Sequence, residues 1–413
     1  MPNSVSAQSD KKPTASDKDA FLPEVDNNQA SIPNQEVTGI PSHKSENTGR
    51  LKSIISIDAG RKYVSVDELK RIVDKAHDNG YTGMSLILGN DGLRFLLDEM
   101  TVEVNNVTYS SEDVKKGLLE GNKDYYDDPN GNALTQSQMD DLIQYTSSKN
   151  FEIIPAINTP GHMDALIVAM KHLKINNPEF KVSKSTIDLD NDVAVKFSEA
   201  IVAKYIEYFS NSCQIFNIGL DEYANDVPQG GWKAIQKSGT YRKFVEYANS
   251  LSAIVKRYGM QPMAFNDGIY YNSNDSFGTF DKDIIVAYWT SGWGGYNVAT
   301  ADTLVNKGHK ILNTNDSWYW VLGRKSRFDG NYNLNQAMFG TETLAFTKVT
   351  GARNTIPIIG SMQAIWADKP EHKLNLKDLF DLMDAYSRKH GDYLTKPAAT
   401  QEDKENDVSN NSV

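Results

Sequence analysis

The chain has 413 residues, of which 39% are hydrophobic and 10% aromatic, enough for a large core in one or two domains. Its formal net charge of −11 argues against a nucleic-acid-binding surface. Cys213 is the only cysteine, which excludes an intramolecular disulfide and a cysteine-ligated zinc site, and its apolar surroundings indicate a buried, unreactive thiol.

Both ends of the chain differ in composition from its centre. Residues 1–50 and 396–413 are polar and poor in large apolar side chains, so we expect two disordered tails around one domain at 51–395. The N-terminus lacks the basic-then-apolar pattern of an export signal, so such a signal is expected to lie outside this sequence. No apolar stretch is long enough to span a bilayer, and we expect no membrane insertion.

Between the tails, strand-like and helix-like segments alternate. The first unit pairs an apolar run at 51–58 with a segment at 65–79 whose apolar residues recur at helical spacing. Further strands are predicted at 84–88, 152–157, 214–220, 262–265, 284–289, 309–312 and 356–365, and further helices at 135–149, 163–173, 191–209, 241–258, 298–307 and 376–390. The segments 98–134 and 323–333 are interpreted as loops.

The fold class follows from this alternation. Eight strand–helix units predict a parallel α/β sheet, and eight is the number that closes into a single (β/α)8 TIM barrel. The alternative is an open doubly wound sheet, which usually begins with a glycine-rich phosphate-binding turn. No such turn follows the first predicted strand, so we expect the barrel over residues 51–395.

The fourth predicted strand ends on two adjacent carboxylates, Asp221 and Glu222. The Asp-Glu pairs at 67–68 and 98–99 fall instead in a helix start and a polar loop. In a barrel the residues that follow the strands converge on one face, where such folds have their active sites. The pair is therefore the first candidate for catalysis.

Polar and aromatic side chains follow the other predicted strands as well. One histidine is too few for a catalytic zinc site, whereas carboxylic acids and flat rings suit glycoside hydrolysis, because an acid protonates the leaving oxygen and rings pack against sugars. We expect no metal and no cofactor. The strand-end set is Asp58, Arg61, Asn90, Asp91, Asn158, His162, Asp221, Glu222, Asn266, Asp267, Trp289, Asn313, Asn315, Asp316, Trp318, Tyr319, Trp366 and Asp368.

The adjacency of Asp221 and Glu222 bears on mechanism. Neighbours on one strand are expected to point their side chains apart. A conventional retaining glycosidase needs a nucleophile and an acid that flank the scissile bond. The pair is better suited to a division in which one residue protonates the leaving group and the other holds a substituent of the same sugar, which suggests substrate assistance.

Six motifs, in barrel order, carry a family resemblance. They are Ser-Ile-Asp-Ala-Gly-Arg-Lys-Tyr (56–63), Gly-Asn-Asp-Gly-Leu-Arg-Phe (89–95), Pro-Gly-His-Met-Asp (160–164), Phe-Asn-Ile-Gly-Leu-Asp-Glu-Tyr-Ala-Asn-Asp (216–226), Trp-Thr-Ser-Gly-Trp-Gly-Gly (289–295) and Ile-Trp-Ala-Asp (365–368). The chain resembles β-N-acetylhexosaminidases of glycoside hydrolase family 20, and is most similar to the catalytic domains of streptococcal-type cell-surface exo-hexosaminidases.

The resemblance implies roles for the two carboxylates. Glu222 corresponds to the general acid/base, and Asp221 to the residue that orients and stabilises the 2-acetamido group. In such enzymes the acetamido oxygen attacks the anomeric carbon, and water opens the oxazolinium-like intermediate with retention. Glu222 would first donate a proton and then accept one. Asp221 would stay ionised beside the acetamido N–H.

Seven further positions are implied as substrate-binding. Arg61 would grip hydroxyls of the terminal sugar and Tyr319 would bond the acetamido oxygen. The sequence departs from the commoner family pattern at Gly-Asn-Asp-Gly-Leu, which contains Asp91, and at Asp368, where many members carry glutamate. The other roles are a carboxylate–histidine relay for Asp91 and His162, pocket walls for Trp289 and Trp366, and an outer-hydroxyl ligand for Asp368.

Each assignment has a plainer alternative. Arg61 could be a surface arginine, and His162 could cap the next helix. Trp289 and Trp366 could be core residues. For Tyr319 the register is ambiguous, because tryptophans flank it on both sides.

The predicted function is an exo-acting retaining hydrolase that removes terminal non-reducing β-linked N-acetylhexosamine, with GlcNAc preferred, from glycans. One alternative is a lacto-N-biosidase-type enzyme of the same mechanism that releases a disaccharide. Another is a glycan-binding module without turnover. Glycans are the expected partners, the domain is expected to be monomeric, and the resemblance implies an extracellular or cell-surface location.

Overall fold

The computed structural model describes residues 50–394. Apart from Arg50, the two predicted tails lie outside this range. The two ends of the described chain meet, because the Arg50 guanidinium donates a hydrogen bond to the carbonyl of Leu394 at 2.9 Å. Within residues 50–394, no helix has both the length and the apolar character needed to cross a membrane.

Eight parallel strands form a closed barrel. The first strand, β1, pairs with β2 on one side and with the last strand, β12, on the other, so the sheet has no open edge. The TIM barrel is thereby confirmed, and the open-sheet alternative is wrong. The barrel strands are β1 (Lys52–Asp58), β2 (Gly83–Asn90), β6 (Glu152–Thr159), β7 (Ile215–Gly219), β8 (Gln261–Phe265), β9 (Ile285–Tyr288), β10 (Ile311–Asn313) and β12 (Ile358–Trp366).

Four short strands lie outside the barrel cycle. Strand β3 (Gly92–Leu93) folds back antiparallel on the end of β2, and β11 (Tyr319–Val321) extends the sheet beside β12. The antiparallel pair β4 (Val102–Val104) and β5 (Val107–Tyr109) forms a hairpin.

Ten helices accompany the strands in the described range. Helix α1 begins with a capping box in which Ser65 accepts from the Glu68 N–H and Glu68 reaches back to the Ser65 N–H, as expected for an amphipathic surface helix. The helices are α1 (Val66–Asp78), α2 (Ser111–Tyr126), α3 (Gln136–Ser148), α4 (Asp164–His172), α5 (Asp192–Phe209), α6 (Trp232–Ser238), α7 (Tyr241–Arg257), α8 (Ala301–Asn306), α9 (Leu334–Thr343) and α10 (Leu376–His390).

The interpretation of residues 98–134 as a loop is wrong, because α2 and the β4–β5 hairpin lie there. Helix α2 packs so closely on α4 that their backbones are in contact. A Cβ atom added to Gly121 would lie 2.5 Å from the carbonyl oxygen of Ala165, and one added to Gly117 would lie 2.9 Å from the Cα of Ala169. The glycines that make this contact possible also weaken the helical signal in the sequence.

The barrel interior is apolar. At the carboxyl ends of the strands, its side chains form the floor of a pocket. Side chains of alternate strand residues fill the interior, with aromatic rings at the carboxyl ends of the strands. The rings of Phe265 and Trp366 lie 6.1 Å apart there. The inward residues are Ile54, Ile87, Ile154, Ala156, Ile215, Met263, Phe265, Ile285, Ala287, Leu312 and Met362, with Trp289, Ile359 and Trp366 packed against them.

Candidate active site

A cavity of about 190 Å³ lies at the carboxyl ends of the barrel strands. It contains eight of the nine predicted site residues; the ninth, Asp91, lies behind it in contact with Arg61 and His162. Its lining residues are Arg61, Asn90, His162, Asp221, Glu222, Phe265, Trp289, Trp293, Tyr319, Val321, Tyr332, Trp366 and Asp368.

Asp221 and Glu222 lie just beyond β7, in backbone that is no longer strand. Gly219 ends the strand at φ 79°, where an added Cβ would collide with the side chain of Asn158. Leu220 and Glu222 also have positive φ, at 72° and 51°. This backbone is unusual for side chains other than glycine and is found most often at functional sites.

The expectation that the two side chains diverge is wrong. Both carboxylates face the same imidazole: Glu222 Oε2 lies 3.2 Å and Asp221 Oδ2 3.5 Å from His162 Nε2. The turn with positive φ removes the alternation that a continuous strand would impose. Their separate roles must therefore follow from their different surroundings.

Those surroundings are unequal. The Asp221 side chain is 11% exposed, and its Oδ1 is buried without a hydrogen-bond partner in the described structure. The Glu222 side chain is 33% exposed, so it can reach solvent at the pocket mouth. A buried acceptor without a donor is costly. The Asp221 carboxylate also lines the cavity, next to the more exposed Glu222.

His162 connects the Asp221–Glu222 pair to Asp91. Its Nδ1 lies 2.9 Å from Asp91 Oδ1, and its Nε2 contacts both Asp221 and Glu222. Burial alone would lower the pKa of His162, but the surrounding carboxylates, Asp91 first, raise it well above the usual value. The raised pKa favours the protonated imidazole, in which Nδ1 donates to Asp91 and Nε2 forms ion pairs with Asp221 and Glu222.

Arg61 contacts three carboxylates. Its Nε donates to Asp91 Oδ2 at 2.6 Å, and its Nη1 lies 3.3 Å from Asp58 Oδ2 and 3.2 Å from Asp368 Oδ1. Burial opposes the charge on Asp91, but Arg61 and His162 outweigh it and hold the pKa of Asp91 well below its usual range. The Asp91–His162 relay implied by the resemblance is therefore present as a set of contacts, and Arg61 extends it to the pocket wall.

Aromatic rings form the other wall. Trp289 and Tyr319 stack with centroids 6.2 Å apart and planes at 17°, and Trp366 meets Tyr319 edge-on at 5.4 Å. Trp289 and Trp366 are half-buried; they pack against the barrel interior on one side and line the cavity on the other. The register ambiguity at Tyr319 is also resolved, since the indoles on either side, Trp318 and Trp320, donate to backbone carbonyls of Gly340 and Arg324 away from the pocket.

Asp267, which the sequence left without a role, lies beneath the catalytic pair. Its Oδ2 accepts from the backbone N–H of Glu222 at 2.9 Å and from the hydroxyl of Tyr296 at 2.6 Å. Its Oδ1 accepts from the Trp289 indole at 3.1 Å. Burial, assisted by the charge of Asp221, raises the pKa of Asp267 to about 6.

Three aromatic residues of the pocket were missed in the sequence: Phe265 at the end of β8, Trp293 and Tyr332. Trp293 is 52% exposed and stacks on Tyr296 at 4.2 Å. It belongs to the 289–295 motif, where the second tryptophan was a usable signal. Tyr332 lies in the segment interpreted as the 323–333 loop, and no pattern in that segment points to it.

His162, Asp221 and Glu222 are also the one group of described residues whose ligand atoms lie close enough to bind a metal, within 4.8 Å of one another. A histidine that binds a metal does so as neutral imidazole. The raised pKa of His162 and its ion-pair contacts with both carboxylates favour the charged imidazole, which does not fit that requirement. The donor set is better suited to proton transfer.

Comparisons with known proteins agree with this geometry. The family described as glycosyl hydrolase family 20, catalytic domain, matches residues 54–380. A solved structure of the pneumococcal virulence factor StrH is 49% identical, covers 84% of this chain and 86% of its own, and has a TM-score of 0.82. A second, from the tandem catalytic modules of the pneumococcal exo-β-D-N-acetylglucosaminidase StrH, is 48% identical with the same coverage and TM-score.

More distant relatives match only in part. Lacto-N-biosidase of Bifidobacterium bifidum is 25% identical over 267 residues, which are 60% of this chain and 22% of that protein. β-Hexosaminidase subunit A2 of Dictyostelium discoideum is 22% identical over 282 residues, 67% of this chain and 46% of that protein. The chain spans less than half the length of either. The family predicted from the six motifs is confirmed: the chain belongs to glycosyl hydrolase family 20 and contains its catalytic domain.

Proposed function

We propose that the domain is an exo-acting retaining hydrolase that removes terminal non-reducing β-linked N-acetylglucosamine from glycans by substrate assistance. The observation that carries the proposal is that the carboxyls of Asp221 and Glu222 line one pocket and contact the same imidazole, with Glu222 the more exposed of the two. The 49% identity to a protein described as an exo-β-D-N-acetylglucosaminidase supports the choice of GlcNAc.

In the first step Glu222 donates its proton to the glycosidic oxygen, and the bond from that oxygen to the anomeric carbon breaks. The acetamido oxygen of the same sugar forms a new bond to that carbon and gives an oxazolinium. The Asp221 carboxylate accepts the acetamido N–H and stabilises the positive charge that develops on it. The sugar thus supplies the nucleophile, and Asp221 sets its orientation.

In the second step water attacks the anomeric carbon and the bond to the acetamido oxygen breaks. Glu222 accepts the proton of that water, which its 33% exposed side chain can reach. Two displacements at one carbon return the β configuration. His162 stays protonated throughout and keeps Asp221 and Glu222 in place.

The site contains more carboxyl groups than cations. Five carboxyls contact Arg61, His162 or Arg324, and a sixth, Asp267, accepts from the Glu222 N–H. Glu222 lines the cavity, where its carboxyl can meet the glycosidic oxygen of a substrate. The five are Asp58, Asp91, Asp221, Glu222 and Asp368.

Cavity size supports release of a single sugar. Pockets for larger small molecules have volumes of about 300–1,000 Å³, whereas this one has about 190 Å³. The Arg61–Asp368 pair closes its wall and offers donors and acceptors to sugar hydroxyls. The match to a lacto-N-biosidase keeps disaccharide release as the second candidate. A binding module without turnover has no need of the buried Asp221–His162–Glu222 arrangement.

The proposal extends to the class of substrate, the location of the protein and its oligomeric state. A structure of StrH is described in terms of N-glycan recognition and hydrolysis, and we propose N-glycans with GlcNAc termini as substrates here. We propose an extracellular or cell-surface location on the same similarity, and a monomeric domain, which light scattering tests.

Digestion of defined glycans with product identification tests the function. We expect free GlcNAc from GlcNAc-terminated glycans and hydrolysis of an aryl β-N-acetylglucosaminide. Release of lacto-N-biose would favour the second candidate. Binding of the glycans without formation of any product would indicate that the domain is a binding module.

A further inference from the structure

A second cavity lies next to the catalytic one. It has a volume of about 450 Å³ and is formed by the turn around Asp316, by Asn331 and Tyr332, and by helix α9 with Gln336 and Phe339. This is more than twice the volume of the pocket assigned to the terminal sugar. It therefore has room for at least one further pyranose ring.

The two cavities share a wall. Tyr319 and Tyr332 line both of them, and their ring centroids are 5.7 Å apart. The Tyr332 hydroxyl donates to Asp316 Oδ2 at 3.2 Å, which fixes this ring between the cavities. A glycan that leaves the catalytic pocket over Tyr332 would cross that ring before it reaches the second cavity.

The second cavity has the chemistry that binds carbohydrate. Phe339 is 69% exposed on its rim, where a flat ring can pack against the C–H face of a sugar. Asp316, Asn331 and Gln336 place a carboxyl and two amides around it. A single exposed phenylalanine is ordinary on a protein surface. Phe339 differs from the more exposed Phe328 because it borders a cavity that adjoins the catalytic pocket at Tyr319 and Tyr332.

We propose that this cavity is a second sugar-binding subsite, which binds another pyranose ring of the glycan whose terminal residue lies in the catalytic pocket. The inference rests on the proposed function. It assigns Phe339 to substrate selection, because only substrates with further sugars reach the subsite. An aryl glycoside, whose leaving group is a single ring at the pocket mouth, does not reach it.

Substitution of Phe339 tests the proposal with two substrates. For Phe339→Ala we expect KM to rise about fivefold to tenfold on a biantennary N-glycan with GlcNAc termini, as loss of one aromatic stacking contact implies. On an aryl β-N-acetylglucosaminide we expect kcat/KM within about twofold of wild type. Phe339→Tyr, which keeps the flat ring, should restore the KM for the glycan. Phe328→Ala, the matched exposed control, should leave the kinetic constants for both substrates unchanged.

Equal losses on both substrates, or no change on the glycan, would overturn the subsite. A binding measurement separates this result from failure of the proposed function. Titration of the same glycan into Glu222→Gln and into Glu222→Gln/Phe339→Ala should give the same fivefold to tenfold difference in Kd without turnover. If wild-type protein hydrolyses neither substrate, the proposed function fails, and the titration still decides whether the subsite exists.

Discussion

The backbone N–H of Glu222 donates to Asp267 Oδ2 at 2.9 Å, while Oδ1 of the same carboxylate accepts from the Trp289 indole at 3.1 Å. One buried acid thus connects the candidate acid/base to the aromatic wall of the pocket. Glu222 has a φ of 51°, and this hydrogen bond is part of what maintains that backbone. We therefore expect Asp267 to act as a positioning residue for both groups.

For Asp267→Asn we expect kcat to fall about tenfold to a hundredfold with a rise in KM. An amide has one acceptor oxygen, and its NH2 group would face either the Glu222 N–H or the Trp289 indole, so one of the two is displaced. A displacement of about 1 Å at a reacting group has a cost of this size. Steady-state kinetics on an aryl β-N-acetylglucosaminide measure both constants.

Tyr296→Phe is the matched control for Asp267. It removes one donor to Oδ2 but leaves the contacts with Glu222 and Trp289 intact. We expect kcat to change by less than about threefold, since the positioning contacts remain. Equal losses in both variants, with unchanged melting temperatures, would argue against positioning by Asp267.

Glu222→Gln should lower turnover by about 10²- to 10⁴-fold on substrates with poor leaving groups, because a glutamine cannot donate the required proton. The loss should be smaller with an activated aryl leaving group, which departs without protonation. Rates across a series of aryl glycosides of different leaving-group pKa measure the difference. Glu99→Gln, taken from another Asp-Glu pair in an exposed loop, is the control and should match wild type. A Glu222 variant that is equally impaired across the series would not be acting as the acid.

Most of the fold could be predicted because its signals are local. All eight barrel strands are buried apolar runs, and the predicted helix at 376–390 agrees with α10 at both ends. Helix α2 was missed because Gly117 and Gly121 serve a backbone contact with α4, which a single sequence does not display. Its existence depends on tertiary packing rather than on propensity.

The site, like the fold, could be predicted where local signals exist and not where tertiary contacts decide the conformation. The strand ends brought Arg61, His162 and the Asp221–Glu222 pair together as predicted, because barrel geometry alone makes them converge. The direction of the two carboxylates was not predictable, since positive φ at a glutamate has no sequence signature. The contact between Asp267 and the Glu222 N–H depends on that same turn.

Substrate assistance predicts strong inhibition by a thiazoline mimic of the oxazolinium, because ligands that resemble the transition state bind tightest. Asp221→Asn should weaken binding of the thiazoline more than binding of GlcNAc, because only the protonated thiazoline nitrogen carries the positive charge that the Asp221 carboxylate stabilises. Inhibition constants for the two ligands, in wild type and variant, measure this. The matching aryl glucoside, which lacks the acetamido group, should be almost inert. Comparable rates on glucoside and N-acetylglucosaminide would exclude substrate assistance.

Asp164, in the first turn of α4, should make the protein less stable as pH rises. Burial, with the charge of Asp91, raises the pKa of Asp164 to about 8, and its Oδ1 has no partner. The folded protein therefore keeps a proton that the unfolded chain releases near pH 4, so the stability contributed by this group declines between about pH 4 and pH 8. Asparagine stays neutral at every pH and can still donate to Asp91.

We accordingly expect the melting temperature of Asp164→Asn to exceed that of wild type by more at pH 8.5 than at pH 4.5. Asp192, in the first turn of α5, is the control of opposite sign, because hydrogen bonding to Lys196 lowers its pKa. Its contribution is present above the unfolded pKa, so Asp192→Asn should be no more stable than wild type at pH 8.5. Thermal unfolding of the three proteins at both pH values measures the differences. A pH-independent gap between Asp164→Asn and wild type would mean that Asp164 does not carry the proton.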